Sequence, residues 1–139
     1  MNLALPASAP APARPRLRAA AALIAGFVTV AALSIGADAA LHALNYYPND
    51  GTAGSDAELA FALAYRTLFT VLGGFVTAWL APARPLRLAV ILGAIGTLPA
   101  LAGVVAMWSL GHNWYAIALA LLAIPSTALG GWLFTRLSR

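Results

Sequence analysis

Four long apolar segments dominate the chain, and short polar stretches separate them. The segments cover approximately residues 19–44, 58–81, 88–110 and 114–134. Each is as long as the roughly 20 residues that an α-helix needs to cross about 30 Å of hydrocarbon. The pattern therefore predicts an all-α fold, a bundle of four transmembrane helices.

The segments between these helices have the composition of a tail, a loop and turns. Residues 1–18 are rich in Ala, Pro and Arg and have no apolar period, which predicts a disordered tail. Residues 45–57 contain turn formers and two acids but no basic residue, which predicts a polar loop. The prolines in residues 81–85 predict a tight turn, and residues 111–113 a short polar connection. The transmembrane domain is therefore predicted over residues 19–136.

The composition agrees with a membrane protein. Hydrophobic residues make up 62% of the chain and charged residues 9%, which is unlike the composition of soluble domains. The net charge of +4 could indicate nucleic-acid binding, but all the basic residues are arginines, and all except Arg66 flank apolar segments. We therefore predict no nucleic-acid partner. The absence of cysteine excludes disulfides, thiolate metal sites and cysteine nucleophiles.

The arginines also predict the orientation of the chain. Three lie in the amino-terminal tail, two near the turn between the second and third helices, and two at the carboxyl terminus. The other two connections contain none, so the positive-inside rule places both termini in the cytoplasm. A cleavable signal peptide is the alternative for the first segment, with Ala37, Asp38 and Ala39 as the cleavage pattern. Its apolar run exceeds the roughly 7–15 residues of a signal peptide and continues past that pattern, which favours a spanning helix.

Small residues predict where the helices approach one another, because close backbone contact drives helix association in lipid. Some of them recur every four residues and others occur as glycine pairs. These residues are Ala32, Gly36 and Ala40; Ala89, Gly93 and Thr97; Gly73 and Gly74; and Gly130 and Gly131.

A small group of polar residues falls inside the first two apolar segments. Asp38 and His42 are four residues apart and share one face of the first helix. Arg66 lies about 12 Å inside the second helix, at a depth that matches Asp38 in an antiparallel hairpin. We predict a polar cluster of Asp38, His42 and Arg66. Supporting polar residues are predicted at Ser34, Thr70 and Glu58, with Glu58 as a second partner for Arg66.

This cluster has two interpretations. In the structural one, Arg66 and Asp38 form an ion pair that links two helices, and His42 completes the network. In the functional one, Asp38 and His42 form a proton or ion relay beside a fixed positive charge. The sequence provides no continuous polar path to the inner face, which favours the structural interpretation.

The sequence contains little that indicates enzymatic chemistry. His42 and His112 are the only histidines, and they raise the alternative of a haem or small metal site. Two histidines are the minimum for such a haem site, and His112 lies in a short turn, so we predict neither a cofactor nor a metal. Asp50, Asp56 and Glu58 lie in or beside a loop with no neighbouring nucleophile or phosphate-binding motif. We expect a protein that is not an enzyme.

Several short motifs resemble those of a group of small bacterial inner-membrane proteins with four helices and no established activity. They fall within residues 26–135. The motifs are Asp38-Ala-Ala-Leu-His42, Ala64-Tyr65-Arg66, the Ala-Pro-Ala-Arg-Pro turn at 81–85, Trp114-Tyr115 and Gly130-Gly131. The resemblance implies a multi-pass protein of the bacterial inner membrane, and it implies no reaction.

These observations predict a small structural or accessory membrane component that is not an enzyme. Its expected partner is the lipid bilayer, with a membrane-protein partner or a second copy of the chain as further candidates. The alternative is a small transporter or channel that uses Asp38, His42 and Arg66 for ion or proton coupling.

Overall fold

The computed structural model describes residues 14–52 and 54–139, and the fold of these residues is all-α. Four long helices and one single-turn 3₁₀ helix follow one another along the chain. They are α1 (Pro15–Ala43), α2 (Asp56–Leu80), α3 (Pro85–Ala106), the 3₁₀ helix Trp108–Leu110, and α4 (Asn113–Leu137). Each of the four α-helices is long and apolar enough to cross a membrane. The predicted all-α fold with four helices of this kind is confirmed.

Two prolines explain where α1 and α3 begin. Pro15 and Pro85 each occupy the start of a helix, where the missing N–H would have no partner within the helix. These helices therefore start four and three residues earlier than predicted from the apolar pattern. The predicted tail, residues 1–18, overlaps α1 at residues 15–18, and residues 1–13 lie outside the described part of the chain.

The start of α2 is determined by a capping box. The Ser55 hydroxyl accepts a hydrogen bond from the Glu58 backbone N–H at 3.4 Å. In return, Glu58 Oε2 accepts one from the Ser55 backbone N–H at 2.6 Å. Two N–H groups that would otherwise lack partners are thus satisfied, and α2 begins at Asp56.

The bundle has two ends that differ in packing. The loop end contains the α1–α2 and α3–α4 connections, and the termini end contains Arg14, Arg139 and the α2–α3 turn. α2 contacts all three other helices, and α3 packs along α4. The closest helix contacts lie in the half nearer the termini end, and they are made by glycines.

These glycines have no room for a side chain. A Cβ built on Gly26 of α1 would lie 2.7 Å from the Gly73 carbonyl oxygen of α2. One built on Gly74 would lie 2.7 Å from Thr127 Cα, and one on Gly130 would lie 2.6 Å from the Phe75 backbone nitrogen. The helix backbones are therefore in direct contact, as expected where lipid provides no hydrophobic driving force.

The contacts predicted for α1 from its small residues are wrong. Ala32, Gly36 and Ala40 are exposed, and a Cβ on Gly36 would meet no atom within 4 Å. The buried residues Ala22 and Gly26 make the contact instead. They belong to a row of residues spaced by four that continues through Val30 and Ser34 to Asp38, so the packed residues and the polar residues of α1 lie on one ridge that winds around the helix. The prediction is correct for both glycine pairs, Ala89 and Gly93, which are buried at helix contacts. Thr97 is half-buried, and its hydroxyl donates to the Gly93 carbonyl of its own helix at 2.9 Å.

The outer surface of the bundle suits hydrocarbon. Many large apolar side chains are exposed, among them Ile35, Leu98 and Leu121. The two most deeply buried polar side chains bond to backbone carbonyls: the Thr77 hydroxyl donates to the Ala22 carbonyl of α1 at 3.2 Å, and the Thr127 hydroxyl donates to the Ala123 carbonyl at 3.1 Å. Hydroxyls that bond to backbone carbonyls are compatible with a bilayer, where no water is available as a partner.

Candidate functional site

An ion pair links α1 to α2 in the half nearer the loop end. Arg66 Nη2 donates a hydrogen bond to Asp38 Oδ2. The Tyr65 hydroxyl donates to the other carboxylate oxygen, Oδ1. The side chains of Arg66 and Asp38 are 32% and 28% exposed, so the ion pair is partly buried. We call Asp38, Tyr65 and Arg66 the carboxylate cluster.

Helix geometry brings these side chains together. Gly73 of α2 lies against Val30 of α1. Arg66 is about 10 Å from Gly73 along α2, and Asp38 is about 12 Å from Val30 along α1, at 1.5 Å per residue. Helical side chains lean towards the amino end of their own helix. In this antiparallel pair, Arg66 therefore leans towards the loop end and Asp38 towards the termini end, which closes the remaining gap.

A second tyrosine extends the cluster towards the α1–α2 loop. The Tyr47 hydroxyl lies 3.4 Å from the Tyr65 hydroxyl and 3.4 Å from the Glu58 carbonyl oxygen. Both distances are long for O–H···O hydrogen bonds, so these contacts are weak. Burial of the Tyr47 phenol raises its pKa above the ordinary value, and the contact with Tyr65 partly offsets this rise.

The other predicted site residues lie close to the cluster but have different partners. His42 Nδ1 is 2.8 Å from the backbone oxygen of Asp38, so the ring does not contact the carboxylate. The Glu58 carboxylate bonds to Ser55 in the capping box, while Arg66 pairs with Asp38. The Thr70 hydroxyl donates to the Arg66 carbonyl at 2.8 Å. Ser34 is buried one turn from Asp38.

The carboxylate cluster lies on the wall of a cavity of about 670 Å³ to which all four helices contribute. Towards the loop end the wall is polar, with Asp38, Arg66 and Tyr115. Towards the middle of the bundle it is mainly apolar, with Val30 and Leu92 among its residues. The sequence pattern of a single helix cannot predict this cavity, because the cavity depends on the distances between helices.

Two buried hydrogen-bond donors at the polar end of the cavity, the Arg66 Nε–H and the Thr67 hydroxyl, have no acceptor within residues 14–52 and 54–139. The Arg66 Nε–H is buried without a partner, although Nη2 of the same guanidinium bonds to Asp38. The Tyr115 side chain also lines the cavity, and no hydrogen bond of its hydroxyl is present in this part of the chain. A buried donor without an acceptor destabilises a protein by about 1–3 kcal/mol.

A separate polar contact joins α2 to the start of α4 at the loop end. Asp56 Oδ1 accepts a hydrogen bond from Trp114 Nε1 at 2.9 Å and lies 3.1 Å from His112 Nδ1. The Asp56 side chain is 75% exposed, so this contact is weak. Within the described residues, no group of three or more His, Cys, Asp or Glu side chains could hold a metal ion.

Sequence reasoning missed the two tyrosines that complete the site. Tyr65 is adjacent to Arg66 in the chain, but adjacent helix residues usually point in different directions, so its bond to Asp38 was not expected. Tyr115 lies at a helix end, where an aromatic residue is typical of the membrane–water interface, so its sequence position does not indicate a site residue. Comparisons with protein-family models, curated proteins and solved structures find no match to the chain.

Proposed function

We propose that the chain is a structural or accessory component of the bacterial inner membrane that is not an enzyme and whose termini are both cytoplasmic. In this proposal the carboxylate cluster holds α1 against α2. The observation that supports it most directly is that both Asp38 carboxylate oxygens already accept a hydrogen bond from α2, one from Tyr65 and one from Arg66. A carboxylate bound on both sides is well suited to fixing the relative position of two helices.

The orientation and location are supported by charge and surface composition. Within the described residues, the arginines outside the helix interior lie at the termini end, and the exposed helix surface is apolar. Positive charge at one end of a bundle is typical of its cytoplasmic side. The same apolar surfaces are available to a membrane-protein partner or to a second copy of the chain, and cross-linking in native membranes would detect either.

The cavity favours a second candidate, a small transporter or channel that uses Asp38, His42 and Arg66. Such a protein needs a polar route from the cavity to the termini end. The threonines in that direction, Thr29 and Thr77, donate to backbone carbonyls of α1 at 2.8 and 3.2 Å. The glycine contacts hold the helices together in the same region. A structural role therefore agrees better with the closed half of the bundle.

A double-mutant cycle tests the proposal. Asp38→Asn, Arg66→Gln and the double variant are compared with wild type by reversible unfolding in mixed micelles. The pair lies between exposed and fully buried ion pairs, so we expect each single change to destabilise by about 1–3 kcal/mol. The double change should be no worse than the more harmful single change.

The matched control is Asp50→Asn with Arg87→Gln, which changes the same residue types at two exposed positions. These two changes should be additive within about 0.5 kcal/mol. Coupling below this value for Asp38 and Arg66 would reject the structural role. Proton or ion flux into liposomes that requires Asp38 would favour the transporter instead.

A further inference from the structure

The cavity has the size and lining of a ligand site. Its volume of about 670 Å³ lies within the roughly 300–1,000 Å³ range of small-molecule pockets. Protein interiors are otherwise close-packed, so an unfilled space of this size sacrifices many dispersion contacts. Val30, Leu92 and Leu119 are among the apolar residues of its wall, and they would surround a hydrocarbon tail.

The cavity lies between α1 and α3 and extends to the α1–α2 loop, where Pro48 and Thr52 line it. The helices α1 and α3 approach at Gly26, whose added Cβ would lie 3.0 Å from Leu92 Cδ2. On the loop side of this contact the cavity separates them. Gly96 and Gly103 of α3 line it, and a Cβ at either position would meet no atom within 4 Å. Since the outer surfaces of α1 and α3 are apolar, the gap faces the region that hydrocarbon would occupy.

The polar end of the cavity indicates what kind of head group would fit. The charges of Asp38 and Arg66 cancel, and the Glu58 carboxylate, which also lines the cavity, is bonded in the capping box at the start of α2. A charged head group beside the Asp38–Arg66 pair would therefore bring an uncompensated charge into the bundle. The buried donors without an acceptor, the Arg66 Nε–H and the Thr67 hydroxyl, indicate a group that accepts hydrogen bonds, and the Tyr115 hydroxyl on the cavity wall is a further donor. An uncharged ester carbonyl meets both conditions.

The depth of this polar end also matches an ester carbonyl. Asp38 lies about 8 Å from the loop end of α1 at 1.5 Å per residue. In a bilayer, this is the outer part of the hydrocarbon region, just below the head groups. A lipid whose ester reaches the carboxylate cluster would extend its tail along the apolar wall towards the middle of the membrane.

We propose that this cavity binds an uncharged glycerolipid, with an ester carbonyl at Arg66 and Tyr115 and an acyl chain between α1 and α3. The proposal goes beyond the structural role. It depends on the cavity and on donors that the Asp38–Arg66 pair does not use, so either proposal can fail without the other.

Photo-cross-linking tests the proposal. The full chain in nanodiscs is incubated with a monoacylglycerol that carries a diazirine in its acyl chain, and the cross-linked residues are mapped by mass spectrometry. We expect saturable labelling on the facing sides of α1 and α3, reduced at least tenfold by unlabelled monoacylglycerol. The fatty acid and the alkylammonium with the same chain should compete less.

Matched variants connect the labelling to the cavity. Gly96→Trp fills the cavity and should abolish the saturable labelling, while Gly36→Trp, on the outer surface of α1, should leave it unchanged. Gly103→Trp provides an independent block if the first variant fails to fold. Tyr115→Phe should weaken competition roughly threefold to tenfold, as expected for one hydrogen bond, and Tyr46→Phe outside the cavity should not.

Four results would overturn the proposal. Labelling that is uniform and does not saturate would mean annular lipid only. Stronger competition by the fatty acid would mean an anionic ligand. Labelling that survives both cavity-filling variants would place the lipid elsewhere, and cross-links between two copies of the chain at the cavity would mean that a second copy occupies it.

Discussion

Gly130→Ala should destabilise the bundle although it adds only one methyl group. The new Cβ would lie 2.6 Å from the Phe75 backbone nitrogen and 3.0 Å from the Val71 carbonyl carbon of α2. Ordinary contacts of this kind begin near 3.4 Å, and backbone atoms cannot rotate out of the way. α2 and α4 would therefore have to separate by about 1 Å along their contact, which weakens dispersion on both sides.

The size of the effect follows from two opposing terms. Overpacking of a close contact destabilises by about 1–3 kcal/mol. Replacing a helical glycine by alanine contributes about 0.8–1 kcal/mol in the opposite direction through helix propensity. We expect a net destabilisation of about 1–2 kcal/mol for Gly130→Ala. Gly36→Ala retains only the favourable term, because its Cβ would meet no atom within 4 Å.

The assay is reversible unfolding of both variants in mixed micelles of a mild detergent and dodecyl sulfate, with helicity measured by circular dichroism. The sign of the difference is decisive: Gly130→Ala must be less stable than wild type, and Gly36→Ala equally or more stable. If the two variants agree within about 0.5 kcal/mol, or if their order is reversed, the packing of α2 against α4 described here is incorrect.

Three further outcomes are expected. Tyr65→Phe removes one of the two donors to Asp38 and should destabilise by about 0.5–1.5 kcal/mol, with no additional loss in an Asp38→Asn background; a full additional loss there would contradict the bond. Ser55→Ala removes the capping hydroxyl and should destabilise by about 0.5–2 kcal/mol. Faster hydrogen exchange confined to the first turn of α2 would confirm the mechanism, and unchanged exchange there would contradict it. Reporter fusions after Asp50 and at the carboxyl terminus should report periplasm and cytoplasm respectively, and a periplasmic carboxyl terminus would refute the proposed orientation.

The number of helices was predictable because a spanning helix must be apolar over its whole length, and this is visible without any tertiary information. The starts of α1 and α3 were missed, although the same three residues, Ala-Arg-Pro, precede or open both helices. Arg14 and Arg84 were used only as charges that indicate orientation, whereas the helices begin at Pro15 and Pro85.

The pairing of Asp38 with Arg66 could be anticipated because both are charged residues at similar depth in neighbouring helices. The packed residues of α1 were also predictable, from the spacing of four residues along this helix. Ala22 and Gly26 belong to the row of residues, spaced by four, that leads to Asp38. Extending this row from Asp38 towards the amino terminus identifies both residues. Tyr115 and the cavity could not be predicted in this way, because they depend on how far apart non-adjacent helices lie.

The concentration of glycine contacts in one half of the bundle affects how this protein can change during evolution. Substitutions at Gly26, Gly74 or Gly130 disturb backbone contacts, so that half tolerates little variation. A Cβ added at Gly96 or Gly103, on the cavity wall, would meet no atom within 4 Å. Selection could therefore reshape the cavity by single substitutions while the half that keeps the chain folded stays the same.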